Sequence, residues 1–195
     1  MLQQLISFLK EDLNTFISDK IGANSQFVLF TNLNNILEKT DVNTDKVIIS
    51  IVNIEEEKML KAPDNYMRIN TDILYRKPPV WLNIICLFTL YTKSTEDLPG
   101  LDMLENVVQY FQSRPRLDKS SAVVPANFPA GLEEIRAEFV SLNYEQTNYL
   151  WGLFGGRYHP SVIYKFKTVP VDNLDITPGG PAIQETLVTA NHNIN

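Results

Sequence analysis

KVIISIVNIE, residues 46–55, and VWLNIICLFTLY, residues 80–91, are the two stretches that decide the fold. Both are rich in β-branched and aromatic residues, and both carry apolar side chains at odd and even positions alike. Successive side chains of a strand point to opposite faces, so a run that is apolar on both sets needs cover on both sides. Two such runs predict central, doubly covered strands with helices packed over them. Cys86 lies inside the second run and reads as a small buried hydrophobe rather than a nucleophile.

Toward the amino terminus, Leu2, Leu5, Ile6, Leu9, Leu13, Phe16 and Ile17 recur at helical spacing. They place one apolar stripe on a helix of about sixteen residues, with Gly22 at the expected stop. Lys10 and Lys20 are too few for a helix lying on a membrane, so the stripe is read as a core face. QFVLF (26–30) is a candidate short strand, and NLNNILEKT (32–40) a short helix or a turn. Glu55, Glu56 and Glu57 cluster at the end of the first long run. Paired carboxylates can serve as acid and base, but three in succession at a strand end read as a solvated turn. Residues 61–79, with Pro63, Asp64, Asn65, Pro78 and Pro79, read as a polar loop.

Toward the carboxy terminus, TEDLPG (95–100) opens a helix whose Leu101, Leu104, Val107, Val108 and Phe111 share a face. Arg114-Pro115-Arg116 ends it, and residues 113–131 form a long connection. Ile135, Ala137 and Phe139 then alternate with Arg136, Glu138 and Val140, a strand with one mostly wet face. Asn143 with Gln146 three positions on fits a capping box for a short helix carrying Leu150 and Trp151. GLFGG (152–156) lacks the GxGxxG spacing and a following Lys-Ser/Thr, so it reads as a helix stop and tight turn, not a phosphate cradle. Val162–Val169 is a further strand. His159 and Ser161 are the nearest approach to a base and nucleophile, and no third partner for them can be identified.

From Pro170 the character changes. Residues 170–195 hold Asp172, Asp175 and Glu185 but no Lys or Arg. ITPGGP (176–181) reads as a flexible or kinked spacer, and AIQETLVTA (182–190) as strand-like. The expected organisation is one domain, residues 1–169, followed by an extended arm, residues 170–195. Ile183, Leu187 and Val188 are its candidate partner-binding residues.

The whole chain has 195 residues, 44% of them hydrophobic and 21% charged, a globular composition. A chain of this size buries enough surface to fold without disulfide or metal. Cys86 is the only cysteine, so no intrachain disulfide forms. With His159 and His192 it makes too few soft ligands for a Cys/His zinc site, and nothing points to any other metal or cofactor. The net charge of −6 argues against nucleic acid and anionic lipid as partners. The longest uninterrupted apolar run is Ile84–Phe88, far short of the roughly 20 residues that span a bilayer, so no direct membrane insertion is expected. MLQQLISFLKED (1–12) lacks a basic n-region, and synthesis and folding in the cytoplasm are expected.

The order of segments is more telling than any single motif. The amino-terminal helix precedes VNIEEE (52–57) and PPVWLN (78–83). FQ at 111–112, NYLW (148–151) and PSVIYK (160–165) follow. In these pieces the chain resembles, over about residues 1–172, the tail-terminator or cap protein family of extracellular contractile injection systems, phage-tail-like particles of the antifeeding-prophage type. The resemblance implies an α/β (α+β) fold, a mixed central sheet flanked by helices. It implies a bacterial structural protein and not an enzyme: a homohexameric ring at the end of the inner tube away from the baseplate, which stops tube growth and joins tube to sheath. The implied partners are the inner-tube protein ring and the sheath protein, with sheath as the target of the arm. Some relatives are longer, and an extra carboxy-terminal domain is expected to be missing here. Tyr66, Trp81, Tyr110, Tyr149, Trp151 and Phe154 are candidate anchors for ring contacts. The rival reading is a monomeric adaptor or peptide-binding module acting by β-augmentation.

Overall fold

The computed structural model describes residues 1–32, 45–58, 66–69, 72–76, 80–92, 100–171 and 176–181. Helix α1 spans Leu2–Ile21, twenty residues against the sixteen expected. It ends as the sequence indicates. Gly22 turns into the left-handed region at φ 73°, and its N–H reaches the Ser18 carbonyl at 2.9 Å. Strand β1, Val28–Phe30, falls inside QFVLF and runs parallel to β2, Lys46–Glu56. Strand β5, Val80–Tyr91, matches the second decisive stretch and pairs antiparallel with β2. Helix α2 (Leu101–Ser113), strands β6 (Arg116–Leu117) and β7 (Ile135–Val140), helix α3 (Tyr144–Leu153) and strand β8 (Ser161–Val171) follow. The main sheet has six strands in the order β1-β2-β5-β8-β7-β6.

One face of this sheet carries the larger core. Leu5, Phe8, Leu9, Leu13 and Ile17 of α1 and Val107, Tyr110 and Phe111 of α2 pack over Val47, Ile49, Cys86 and Phe88. Phe88, Phe111, Tyr164 and Phe166 meet edge-on or tilted at centroid separations of 4.3–6.3 Å. These are the arrangements aromatic quadrupoles favour, and they add to the gain from burial. The opposite face is covered by α3 alone among the described residues. Ile48, Leu87 and Ile163 meet Leu150 and Trp151 there in a smaller core.

The expectation of cover on both faces therefore holds for only half of β2. Val47–Ser50 are buried, whereas Ile51 and Ile54 are exposed. A bulge between Ile51 and Asn53 marks the change. Ile51 and Ile54 stand opposite Cys86 and Ile84, on the face that α1 and α2 cover, so it is that cover which stops short of this end of the strand.

Two segments read as loop or spacer are strands. Within 61–79, β3 (Tyr66–Ile69) and β4 (Asp72–Arg76) form an antiparallel hairpin. ITPGGP is not a spacer: it is β9, Ile176–Pro181, antiparallel to β4 in a second sheet ordered β3-β4-β9. Proline and glycine there signalled a break, yet β9 is an edge strand, where a missing N–H is tolerated. Strand β8 also continues past Val169, with Val171 opposite Val80. Ile183, Leu187 and Val188 lie outside the described residues, as does NLNNILEKT beyond Asn32.

Candidate assembly surfaces

The residues that could carry chemistry are used structurally. Cys86 is fully buried, and burial pushes its thiol up to about 12, so it stays protonated. Glu55 does not sit in a solvated turn but pairs with Lys165 at 2.8 Å. Glu57 accepts a hydrogen bond from the Asn83 side chain at 2.9 Å. His159 packs its ring on Trp151 at 5.8 Å, and its Nε2 is buried without a hydrogen-bond partner. Burial, aided by Arg157, lowers its pKa and favours neutral imidazole. Ser161 opens β8. Among the described residues, no three His, Cys, Asp or Glu side chains come together as metal ligands. No described helix is long and apolar enough to cross a membrane.

The long connection 113–131 is firmly held. Asp12, buried on α1, accepts from Tyr110 Oη at 2.6 Å and from the backbone N–H groups of Val123 (3.1 Å) and Val124 (2.6 Å). One carboxylate thus ties α1, α2 and the connection together. Burial and the neighbouring Asp12 charge raise the Tyr110 hydroxyl pKa, so it remains a donor. Arg114 lies over the rings of Phe16 and Tyr110, each at 5.2 Å, and donates from Nε to the Ser121 carbonyl at 2.8 Å. Asp118 Oδ1 accepts from Ser120 N–H, Ser120 Oγ and Ser121 N–H at 2.7–2.8 Å, bonds that hold its pKa at about 2. A connection fixed at so many points is a rigid surface, not a linker.

Helix α3 begins with the capping box expected of its sequence. Gln146 N–H donates to Asn143 Oδ1 at 2.8 Å, and Asn143 N–H donates to Gln146 Oε1 at 3.0 Å. Gly155 and Gly156, at φ 79° and 76°, make the turn after it. The helix buries Leu150 and Trp151 and presents Tyr149 and Leu153 outward. Beneath it lies a mainly apolar cleft of about 340 Å³, lined by Val52, Ile85, Leu142, Tyr149 and Leu153 among others. The candidate anchors therefore separate. Tyr110 and Trp151 are core, Tyr149 is exposed, Trp81 and Phe154 are half-buried, and the Tyr66 side chain lies outside what is described.

Nothing in the residue pattern singles out Phe30, Ile51, Ile54 and Phe139, which stand exposed toward the two sides of the main sheet. Each belongs to an apolar pattern that reads as inward-facing, and exposure depends on where covering elements end.

A mixed sheet backed by helices, with apolar side chains surfacing at its edges, defines a protein of the α+β kind. The chain belongs to the Pvc16 N-terminal domain family, which matches residues 3–185. Its fold is similar to that of the sheath/tube terminator of the PVC extracellular contractile injection system in the extended state. The TM-score is 0.64 at 16% identity, over 94% of this chain and 64% of that one. It is also similar to the tube-terminating cap of the anti-feeding prophage, with TM-score 0.68 at 12% identity, over 95% of this chain and 60% of that one. This chain thus spans less than two thirds of either protein. No curated protein matches by sequence.

Proposed function

We propose that this chain is a structural terminator of a contractile injection system, with no catalytic step of its own. The observation that carries the reading is a fold shared over 94–95% of this chain, and 60–64% of theirs, with two terminators. Six copies form a ring on the end of the inner tube away from the baseplate, stop its growth and join it to sheath. Ending a polymer needs one face that fits the last ring and another that offers no new docking site. Apolar and aromatic anchors suffice for that. The protein is made in the bacterial cytoplasm and travels as part of the assembled particle. The segment after β9 is the joint to sheath, with Ile183, Leu187 and Val188 as its contacts.

Deleting the gene should yield tubes or sheaths of uncontrolled length, measured by electron microscopy. Length-regulated particles in the deletion strain, with no second copy of the gene, would sink the reading. Truncation after Pro181, which spares β9, should leave the protein folded and loosen its hold on sheath. Ile183→Asp with Leu187→Asp should do the same. Sheath held as firmly as in wild type would remove the arm from the account.

A further inference from the structure

The four most exposed large apolar or aromatic side chains among the described residues lie on α3 and the turn after it: Tyr144 at 98%, Leu153 at 76%, Tyr149 at 68% and Tyr158 at 67%. Residues 141–160 hold only two charged side chains, Glu145 and Arg157, although 21% of the whole chain is charged. Exposed aromatic side chains on a charge-poor surface have the composition of an interface core.

The two charges sit at opposite ends of this surface. Glu145 lies in the first turn of α3, and Tyr149 Oη, one turn on, donates to its Oε1 at 3.2 Å. Residues four apart share a helix face, so Glu145, Tyr149 and Leu153 form one stripe. Tyr149 and Leu153 both wall the apolar cleft of about 340 Å³ beside the helix. Arg157 follows the turn at Gly155 and Gly156, and no described residue forms an ion pair with it. The Tyr158 ring meets Trp151 at 5.6 Å, which keeps this turn against the helix. Trp151 is the midpoint of the pattern: Tyr149 and Leu153 flank it at equal spacing, as do Glu145 and Arg157, and Tyr144 and Tyr158. Laid antiparallel on a second α3, Glu145 meets Arg157 of the other copy at both ends, and Tyr149 meets Leu153 in the middle. A parallel arrangement would set like charge on like.

We infer that two copies of this chain pair across a two-fold axis through α3, with the Glu145–Tyr149–Leu153 stripe and Arg157 of each laid antiparallel on those of the other. The occupant is a second copy because the complementarity is internal to the patch. Its one acid and one base exchange places under a two-fold rotation, and so do its aromatic and aliphatic anchors. Copies of a chain with net charge −6 repel one another overall, and a charge-balanced patch escapes that cost. The cleft beside the stripe gives the second copy's Tyr149 and Leu153 a place to sink. Such a contact is isologous and closed, so it joins two copies and adds no third. Helix α3 has ten residues, a length of about 15 Å, so the contact is small and the pairing weak and reversible. The inference goes beyond the terminator reading and does not rest on it.

Sedimentation of the full chain over a range of concentrations provides the test. Wild type should show a pairing step, and Leu153→Asp should weaken it by about tenfold or more. Contacts elsewhere on the surface would survive Leu153→Asp, so only the two-fold step should be lost. Glu145→Arg should weaken pairing several-fold although it reduces the net negative charge, where general repulsion alone predicts the opposite. Arg157→Glu should weaken it likewise. Mixing these two single variants should restore pairing, because each end of the contact again sets an acid against a base. A variant that merely loosened α3 would not be rescued by mixing. No pairing in wild type, pairing that Leu153→Asp leaves unchanged, or a mixture no better than its parts would overturn the inference. So would hydroxyl-radical labelling of Tyr149 that stays strong in concentrated protein and is lost only in assembled particles, which would give the surface to another particle protein. Length control is measured on the particles themselves, so the terminator reading stands or falls apart from this result.

Discussion

On the face that α1 and α2 cover, Phe88 is sealed among Phe111, Tyr164 and Phe166 and fully buried. Its chain neighbour Leu87 points the other way, into a small core closed by one ten-residue helix whose Tyr149 and Leu153 stay outside. Two adjacent residues of β5 thus belong to regions built to different ends. The first face is closed over its centre by two helices, an aromatic cluster and a connection pinned by a buried carboxylate, and leaves Ile51 and Phe139 exposed at its ends. The second is finished only at its centre, and beyond α3 it offers a cleft. The difference teaches that a sheet read as core on both sides can spend one side partly on surface.

The widest separation between the two faces should appear on truncation. Phe88→Ala should cost about 3–5 kcal/mol, seen as a lower urea midpoint for the whole domain. Leu153→Ala, on the exposed side of α3, should change it by no more than about 0.5 kcal/mol. Comparable losses would break the contrast.

Next in size is the carboxylate that finishes the first face. Asp12→Ala strands Tyr110 Oη and two backbone N–H groups and should cost on the order of 3 kcal/mol. Tyr110→Phe leaves the backbone bonds in place and should cost about 1–2 kcal/mol. The double variant should fall short of the sum, because both remove one shared bond. Additive losses would show that Asp12 and Tyr110 act separately.

Smaller still, Asn143→Ala removes the cap of α3 and should cost about 1 kcal/mol. The loss should be read as faster amide exchange over Tyr144–Leu153, with the first face unaffected. Spreading of the faster exchange into α1 would mean the two faces form one unit.

The smallest effect concerns pH. His159, packed on Trp151, is neutral-favouring because its folded pKa lies below the usual histidine value. The unfolded chain therefore takes up a proton first as pH falls. The stability gained is present above about pH 6.5 and declines as pH drops through and below it. The melting temperature should fall slightly between about pH 7.5 and 5.5, and His159→Gln should flatten that slope. An unchanged slope in the variant would assign the effect to other groups.

Much of both faces was legible in the residues. The stripe on α1, the stop at Gly22, the bounds of β2 and β5 and the box at Asn143 and Gln146 follow from local rules of spacing, capping and backbone freedom. The resemblance to the tail-terminator family is read from the order of segments, and the Pvc16 N-terminal domain family matches residues 3–185. The hairpin β3–β4 and its partner β9 were not legible. Strand pairing between residues 72–76 and 176–181 joins segments a hundred positions apart, and the prolines and glycines of ITPGGP obey a different rule on an edge than in a centre.

By itself the sequence determined the long helices and the central strands β2 and β5, because each depends on residues a turn or a pleat away. Only the tertiary structure decided which apolar side chains are left in water. Ile51 has the same side chain as Ile49, which is buried, and Phe139 is as apolar a residue as Ile135, also buried. They differ because β1 ends at Phe30 and β6 begins only at Arg116, and where a neighbouring strand starts or stops is set by the packing of the whole chain.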